Sequence, residues 1–539
     1  MAGNGMMGGA LFVTALLLLI AGCTSVGSGG TADQARPVVH EKFTTPNDTE
    51  LKSIIAQFDT TAEKERQEWG VPGMAIAIVK DGKIIFAKGY GVKEAGKSDP
   101  VTNTTVFEIG SVSKSFTAAL VAEQVDKGKM NWTDPVIWYV PDFQMKDPWV
   151  TREFTLTDAF AHRSGLVDNW GIDLALFGYN RSEMIHALRY AEPVSSFRSE
   201  FKYQNLPLLV AAAAVENTTN QSWEENLNES IFTPINLTSA STTYAALEAA
   251  PNHATPHRWT VVNGTLVATP IDPSWRFNTW TDTIGPAGGL NMNILDLATW
   301  AEFQMGNGSW NGKQIVSSKN MEYLHTPQIL YYEENGGSKL YYCQGWEYEE
   351  VKSGPAIVMH DGSTIGGRAM VLLVPEKQLA VVVLLNAGEA GFSDSVARQF
   401  YNAYFGIDDP DLNENTYATF MAFNEPFIIP AKRPENYSTP LPLSRYTGSY
   451  KNDLYGTAVV SDQEGNLTLT FGKDPIMFVL SPWDGNTFVS SCPDYGPDYH
   501  GRVVFFTNPD GSVGGLSSSL IYEGAMMPIY NRSVAFVKA

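Results

Sequence analysis

Two side chains three residues apart could make a nucleophile and its activator: Ser111 and Lys114, within Phe107-Glu-Ile-Gly-Ser-Val-Ser-Lys-Ser-Phe-Thr-Ala-Ala-Leu120. Three residues of α-helix turn through about 300°, so the hydroxyl and the amine share one face and can meet. The spacing predicts Ser111 in the first turn, where unpaired N–H groups and the helix dipole favour developing negative charge. A hydroxyl held beside an amine there suits attack on a carbonyl. Ser-x-x-Lys alone is weak, since it recurs at Ser199-Glu-Phe-Lys202 and a serine at a helix start is more often a cap.

Two downstream groups add to it. Tyr203-Gln-Asn205 places a phenol and a carboxamide just before an apolar run. A Lys114 ammonium nearby would favour the phenolate and let it act as a base. His360-Asp-Gly362-Ser363 ends a strand-like run, where a glycine would let a substrate backbone come close. The plainer readings are a packed Tyr with a capping Asn, a pattern that recurs at Tyr450-Lys-Asn452, and an ordinary surface His.

The elements that must hold these groups follow from periodicity. The Ser111 helix continues through Phe116, Ala119, Leu120 and Val125 and stops at Lys127-Gly128-Lys129. Before it, Glu50 to Trp69 has helical spacing, and Met74 to Val79 and Ile84 to Phe86 are β-rich runs joined by the hairpin signal Lys80-Asp-Gly-Lys83. Residues 130 to 300 read as mostly helical and loop-like, with Leu208 to Val215 a buried helical run. Short apolar strands return at 356–359, 369–374 and 379–385, and Ser393 to Phe405 reads as a closing helix. Early strands, a helical middle and late strands predict one antiparallel sheet assembled from both ends, with a cleft beside the inserted helices. Asp408 to Pro442 is acidic, then Pro-rich, and reads as a linker. From Tyr446 onward, alternating strands and tight turns such as Asn508-Pro-Asp-Gly511 predict a separate all-β domain, a small barrel.

Composition limits the partners. A chain of 539 residues with 44% hydrophobic and 18% charged content is folded and long enough for two or three domains. Its net charge of −21 argues against nucleic acid or an anionic membrane surface as the main partner. Residues 1–23 look like a lipoprotein signal, with an apolar Leu11 to Ile20 and Leu19-Ile-Ala-Gly-Cys23, Cys23 being the residue that would be acylated. The n-region lacks Lys and Arg, and an ordinary signal peptide or uncleaved anchor is the alternative. Either predicts export, and residues 24–45 follow as a flexible tether. Cys343 and Cys492 could bridge in an oxidising compartment, although two isolated cysteines more often stay buried and free. Thirteen Asn-x-Ser/Thr sequons would mark exposed loops in a host that glycosylates its exported proteins.

Taken together, the motifs resemble the serine β-lactamase and penicillin-binding-protein family, in its class C, esterase and D-amino-acid peptidase branch. Gly110-Ser-Val-Ser-Lys-Ser-Phe-Thr117 resembles the nucleophile motif, Tyr203-Gln-Asn205 the Tyr-x-Asn motif and His360-Asp-Gly362 the Lys/His-x-Gly motif. Val71-Pro-Gly-Met-Ala75, His162-Arg-Ser-Gly-Leu166, Ala287-Gly-Gly-Leu290 and Gln344-Gly-Trp346 fit as well. The likeness covers about residues 50 to 405. A looser one, through Tyr446-Thr-Gly-Ser-Tyr450, likens the last hundred residues to the lipocalin-like domain of some relatives.

The resemblance implies an α+β (α/β-class) β-lactamase/transpeptidase-like fold over residues 46–407, a linker at 408–440 and a lipocalin-like barrel at 441–539. It implies acyl transfer in two steps, with Ser111 attacking a carbonyl and Lys114 and Tyr203 moving its proton to the leaving group. The backbone N–H groups of Ser111 and Ser363 would form the oxyanion hole. Asn205 would hold a substrate amide or orient Lys114, and no metal or organic cofactor is required. His360 stands where most relatives carry Lys, which weakens penicillin recognition because a His is largely neutral above about 6.5. The expected partner is a small-molecule or peptide substrate. The expected activity is that of a peptidase or amidase on small peptides, including ones with D-residues; a carboxylesterase or weak β-lactamase is the rival enzyme. A non-catalytic scaffold or ligand-binding protein is the rival of another class. Membrane association would come through the lipid anchor, and a homo-oligomer is compatible with the sequence.

Overall fold

The computed structural model describes residues 45–334, 337–388, 391–428, 432–496, 501–519 and 533–539. The signal-like segment, Cys23 and the tether lie outside the described residues. Helix α1 (Asp48–Trp69) starts at a capping box between Asn47 and Glu50 and ends at Gly70, whose φ of 69° a glycine adopts freely. Strands β1 (Gly73–Lys80) and β2 (Lys83–Gly91) form the expected hairpin, with Asp81 and Gly82 both at positive φ.

The Ser111 helix is α2 (Ser113–Asp126), and the Leu208 run lies in α3 (Leu206–Thr219). After α4 (Ile294–Met305) come β3 (Ile329–Glu333), β4 (Lys339–Tyr342), β5 (Glu347–Glu350), β6 (Ile357–Ser363), β7 (Arg368–Val374) and β8 (Leu379–Leu385). Helix α5 (Phe392–Phe405) closes this part. All eight strands make one antiparallel sheet in the order β2-β1-β8-β7-β6-β5-β4-β3. The early hairpin joins the late strands through β1 and β8, with Met74 opposite Leu385 and Ile78 opposite Val381. The sheet is therefore assembled from both ends of the domain, as the sequence order predicts.

Its faces differ. Ala75, Ala77 and Val79 of β1 join the core under the helical subdomain, while Met74, Ile76 and Ile78 pack toward α1 and α5. Strands β1, β7 and β8 are buried on both faces, which explains why they read as continuous apolar runs.

The structure corrects two readings. The stretch taken as a linker carries α6 (Leu412–Ile428), whose Leu412, Thr416, Phe420 and Asn424 recur every four residues and are buried. Phe420 lies 5.4 Å from the ring of Trp69, so this helix belongs to the first domain's core. The segment taken as helical and loop-like contains a hairpin, His257–Val262 with Thr265–Pro270, turned by Asn263 and Gly264 at φ 52° and 76°. The Asn-Gly pair was the available signal.

The C-terminal domain is a closed barrel of β9 (Gly448–Asn452), β10 (Gly456–Gln463), β11 (Asn466–Phe471), β12 (Ile476–Asp484), β13 (Thr487–Ser491), β14 (Gly501–Thr507), β15 (Val513–Ser519) and β16 (Ser533–Lys538). Strand β9 pairs with β16, so no edge is left open. Its interior is filled by aromatic rings, among them Tyr446, Tyr450, Phe478, Phe488 and Phe505. Cys343 and Cys492 are both buried and free. Among the described residues no helix is long and apolar enough to cross a membrane.

Candidate active site

Ser111 lies in one 3-10 turn, Gly110–Val112, and α2 begins only at Ser113. The serine therefore precedes the first α-helical turn in which the spacing puts it. Gly110 causes the break: its φ is +50°, and a Cβ there would stand 2.5 Å from the backbone N of Ser363. A Cβ on Gly362 would meet the carbonyl oxygen of Ile109 at 1.9 Å and the N of Ser111 at 2.9 Å. The two glycines let β6 press against the serine turn. The close approach expected at Gly362 is thus taken by the protein's own backbone rather than left for a substrate. Ser113 Oγ donates to Gly110 O (2.6 Å) and accepts from Leu290 N (3.0 Å), which pins the turn.

Lys114 is fully buried, and its Nζ lies 2.8 Å from each of Ser111 Oγ, Asn205 Oδ1 and Ala287 O. Tyr203 Oη donates to Ser111 Oγ at 2.9 Å. Helix α2 carries the lysine, and the extended segment before α3 carries the tyrosine and asparagine. A loop templates that segment: Asn169 N donates to Tyr203 O (2.7 Å), Tyr203 N to Asp168 Oδ1 (2.7 Å) and Gln204 N to His162 Nδ1 (3.1 Å).

Burial holds the Lys114 amine well below the ordinary lysine range, with the Asp361 carboxylate opposing it. Burial also pushes the Tyr203 phenol well above its usual value, the bond to Ser111 pulling the other way. Both shifts oppose the expected phenolate, because removing the two groups from water disfavours their charged forms. A neutral amine has two N–H groups and a lone pair. Asn205 Oδ1 and Ala287 O, which can only accept, take the N–H groups, so the lone pair faces the Ser111 hydroxyl. The arrangement can draw a proton from Ser111 to Lys114 while Tyr203 donates from the other side.

Asn205 sits at the N-cap of α3 without capping it, since its carboxamide is used elsewhere. Its Oδ1 serves Lys114 and its Nδ2 donates to Asn169 Oδ1 at 2.5 Å. Of the two roles expected of Asn205, the geometry fits the orientation of Lys114. Asn169 was missed in the sequence; it is buried at φ +51°, and the only hint was a polar Asp168-Asn169 pair beside Trp170.

His360 is fully buried rather than open to the cleft. Its Nδ1 donates to Asp361 O, which fixes the tautomer, so Nε2 accepts from Tyr342 Oη at 2.8 Å. Burial first, then Lys114, holds it down to about 3, so it is neutral. The physical reason is strand alternation, which turns His360 into a wall of rings where His162 lies 4.2 Å from Tyr342 and 4.4 Å from Tyr203. Ser363, by contrast, is partly exposed at the end of β6, against the serine turn. Thr364 beyond it donates to Glu108, anchoring the strand end. Ser111, Lys114, Tyr203, Asn205, Gly362 and Ser363 are thus brought together, and His360 backs them. Cys23 lies outside the described residues, and among those residues no group of His, Cys, Asp or Glu is arranged to hold a metal ion.

Comparison with known proteins places the chain among related sequences and structures. The family model described as Beta-lactamase matches residues 58–403, and one described as a domain of unknown function (DUF3471) matches 432–527. Unguisins hydrolase ungD' of Aspergillus campestris is 25% identical over 489 residues, 84% of this chain and 87% of that protein. Protein flp of Staphylococcus aureus is 27% identical over 335 residues, 61% of this chain and 62% of its own length. The structure of the octameric penicillin-binding protein homologue from Pyrococcus abyssi superimposes with a TM-score of 0.57 at 20% identity, covering 90% of this chain and all of that one.

Proposed function

We propose that this chain, which belongs to the β-lactamase family, is a serine hydrolase that forms an acyl-enzyme on Ser111. One observation carries the reading: Lys114 Nζ and Tyr203 Oη converge on Ser111 Oγ at 2.8 and 2.9 Å. Neutral Lys114 takes the hydroxyl proton as Oγ attacks a carbonyl carbon. The backbone N–H groups of Ser111 and Ser363 stabilise the oxyanion, a contribution of about 3–4 kcal/mol for one donor in comparable sites. Protonated Tyr203 donates to the leaving group and recovers its proton from Lys114. Water, activated by the same pair, then releases the acyl group.

The substrate proposed is a small peptide or amide, with D-residues admitted. The relative named as a hydrolase, similar over 84% of this chain, supports hydrolysis. A carboxylesterase is the second reading, favoured by a neutral, enclosed His360 that offers no cation to a substrate carboxylate. Ligand capture inside the barrel finds no support, because aromatic rings fill its described interior. Export with lipidation at Cys23 rests on the sequence alone, and a homo-oligomer on the octameric homologue.

Intact mass after exposure to a fluorophosphonate, a penicillin, a short-chain ester and a D-amino-acid peptide tests this. Labelling that disappears in Ser111→Ala is expected, with ester or peptide turned over faster than penicillin. A folded wild type that takes up no probe overturns the hydrolase reading.

A further inference from the structure

The two acceptors that hold Lys114 come from different segments, and the barrel contacts the loop that orients the first and the stretch that leads to the second. Asn205 is oriented by Asn169, which stands four residues before Asp173 on one continuous turn (Ile172 N donates to Asn169 O, 3.2 Å). Asp173 is buried and accepts from the hydroxyl of Tyr455, the residue that leads into barrel strand β10. Beside it, Phe177 stacks on Phe471 at 4.6 Å, and its carbonyl accepts from Lys473 N and Asp474 N, both at 3.0 Å. Tyr179 Oη donates to Leu454 O at 2.9 Å.

The second acceptor, Ala287 O, ends a run of short helical turns, Trp280–Thr283 and Gly285–Gly288. The stretch just before that run is tied to the barrel. Trp275 Nε1 donates to Asp494 O (2.7 Å), and Arg276 pairs with Asp494 (2.6 Å) and Asp474 (2.5 Å). The two contacted segments and Asp474 line an open groove of about 230 Å³, beside which Phe177 carries the apolar core on into the barrel through Tyr455 and Phe471.

We propose that the barrel is a clamp whose Tyr455 and Asp494 contacts position Asn205 and Ala287 O, and through them Lys114, for its part in the reaction at Ser111. Tyr455 and Trp275 are positioning residues; neither touches the reacting atoms. The inference rests on the proposed role of Lys114 as the base. Titratable groups facing Lys114 are Tyr203, His162 and His360, with Asp361 and its partner Arg368 on β6 and β7. None of them belongs to the barrel, so a barrel variant reaches the amine only by moving its acceptors. Loosening them admits water, and hydration moves a buried amine back toward its ordinary range.

The test uses the full chain with Tyr455→Phe, which removes one hydroxyl, and Trp275→Phe, a milder change at a partly exposed ring that covers the case in which the first variant fails to fold. Tyr450→Phe is the control: it loses a comparable buried hydroxyl bond, to Tyr446 O, inside the barrel and away from the seam. Fluorophosphonate labelling rates between pH 5 and 10 should show the acid limb displaced upward by about one pH unit in Tyr455→Phe, hence about tenfold slower labelling on that limb. The control should follow the wild type. Amide hydrogen exchange should quicken several-fold in peptides covering 168–177 for Tyr455→Phe and 280–288 for Trp275→Phe. Unchanged exchange in those peptides, or equal quickening in the control, overturns the clamp whether or not the enzyme labels. Absence of labelling in the wild type, with quickened exchange, would instead fault the base role of Lys114 and leave the mechanical coupling standing.

Discussion

Eight antiparallel strands occur twice in this chain, to opposite ends. In the catalytic domain the sheet stays open, and the end of β6 meets a helix start through two glycines. In the C-terminal domain the sheet closes on itself around aromatic rings. The first region buries Lys114, His162 and His360, each at 1% exposure or less; the second buries Tyr446, Tyr450 and Phe505 at 2% or less. Burying an ionisable group costs stability unless bonds replace water, whereas burying a ring contributes it. The pocket buries ionisable groups that bonds must hold, and the barrel supplies packing and hydrogen bonds to loops near it.

The largest test of that contrast is Ser111→Ala, expected to lower acylation by about 10⁴-fold or more while leaving the melting temperature nearly unchanged. A large loss of stability instead would make Ser111 a structural residue. In the barrel, Phe505→Ala should do the reverse. Its ring packs against Tyr446, Tyr450 and Phe488, and truncation should cost about 3–5 kcal/mol in denaturant unfolding. The labelling rate of the folded fraction should not change.

Returning to the pocket, Tyr203→Phe should slow acylation by about 10²-fold, since it removes the proton donor and keeps the ring. A faster enzyme would mean that the phenol restrains Ser111. The smallest effect concerns pH. The folded value of His360, about 3, lies below its unfolded value near 6.5. Its contribution is therefore complete above about 6.5 and is lost as pH falls toward 3, by up to ~1.4 kcal/mol per pH unit. Denaturant midpoints measured from pH 7 to 4 should fall less steeply in His360→Gln; identical slopes would locate the acid sensitivity elsewhere.

Periodicity carried the architecture well, because both-face burial in β1, β7 and β8 and the Asp81-Gly82 turn leave local marks. It failed at α6, where charge and proline at the ends of 408–442 outweighed a four-residue apolar repeat. It failed also at the 257–270 hairpin, hidden inside a helical context. Within the site, Ser111, Lys114, Tyr203 and Asn205 were legible because motif spacing lies along the chain. Asn169 was not, since its role depends on a loop that reaches Asn205 across 36 residues.

The sequence by itself determined which chemical groups are present, their order, and the apolar runs and alternation that mark an antiparallel sheet built from both ends and a separate barrel. These depend on neighbours within a turn or a strand. Only the tertiary structure decided their surroundings: burial that holds the Lys114 amine well below and the Tyr203 phenol well above their ordinary ranges, and a His360 enclosed beside Tyr342. Those properties depend on desolvation and on acceptors such as Ala287 O, 173 residues from Lys114 along the chain. Whether a side chain is a base or an acid is set by what surrounds it in space, which local sequence does not encode.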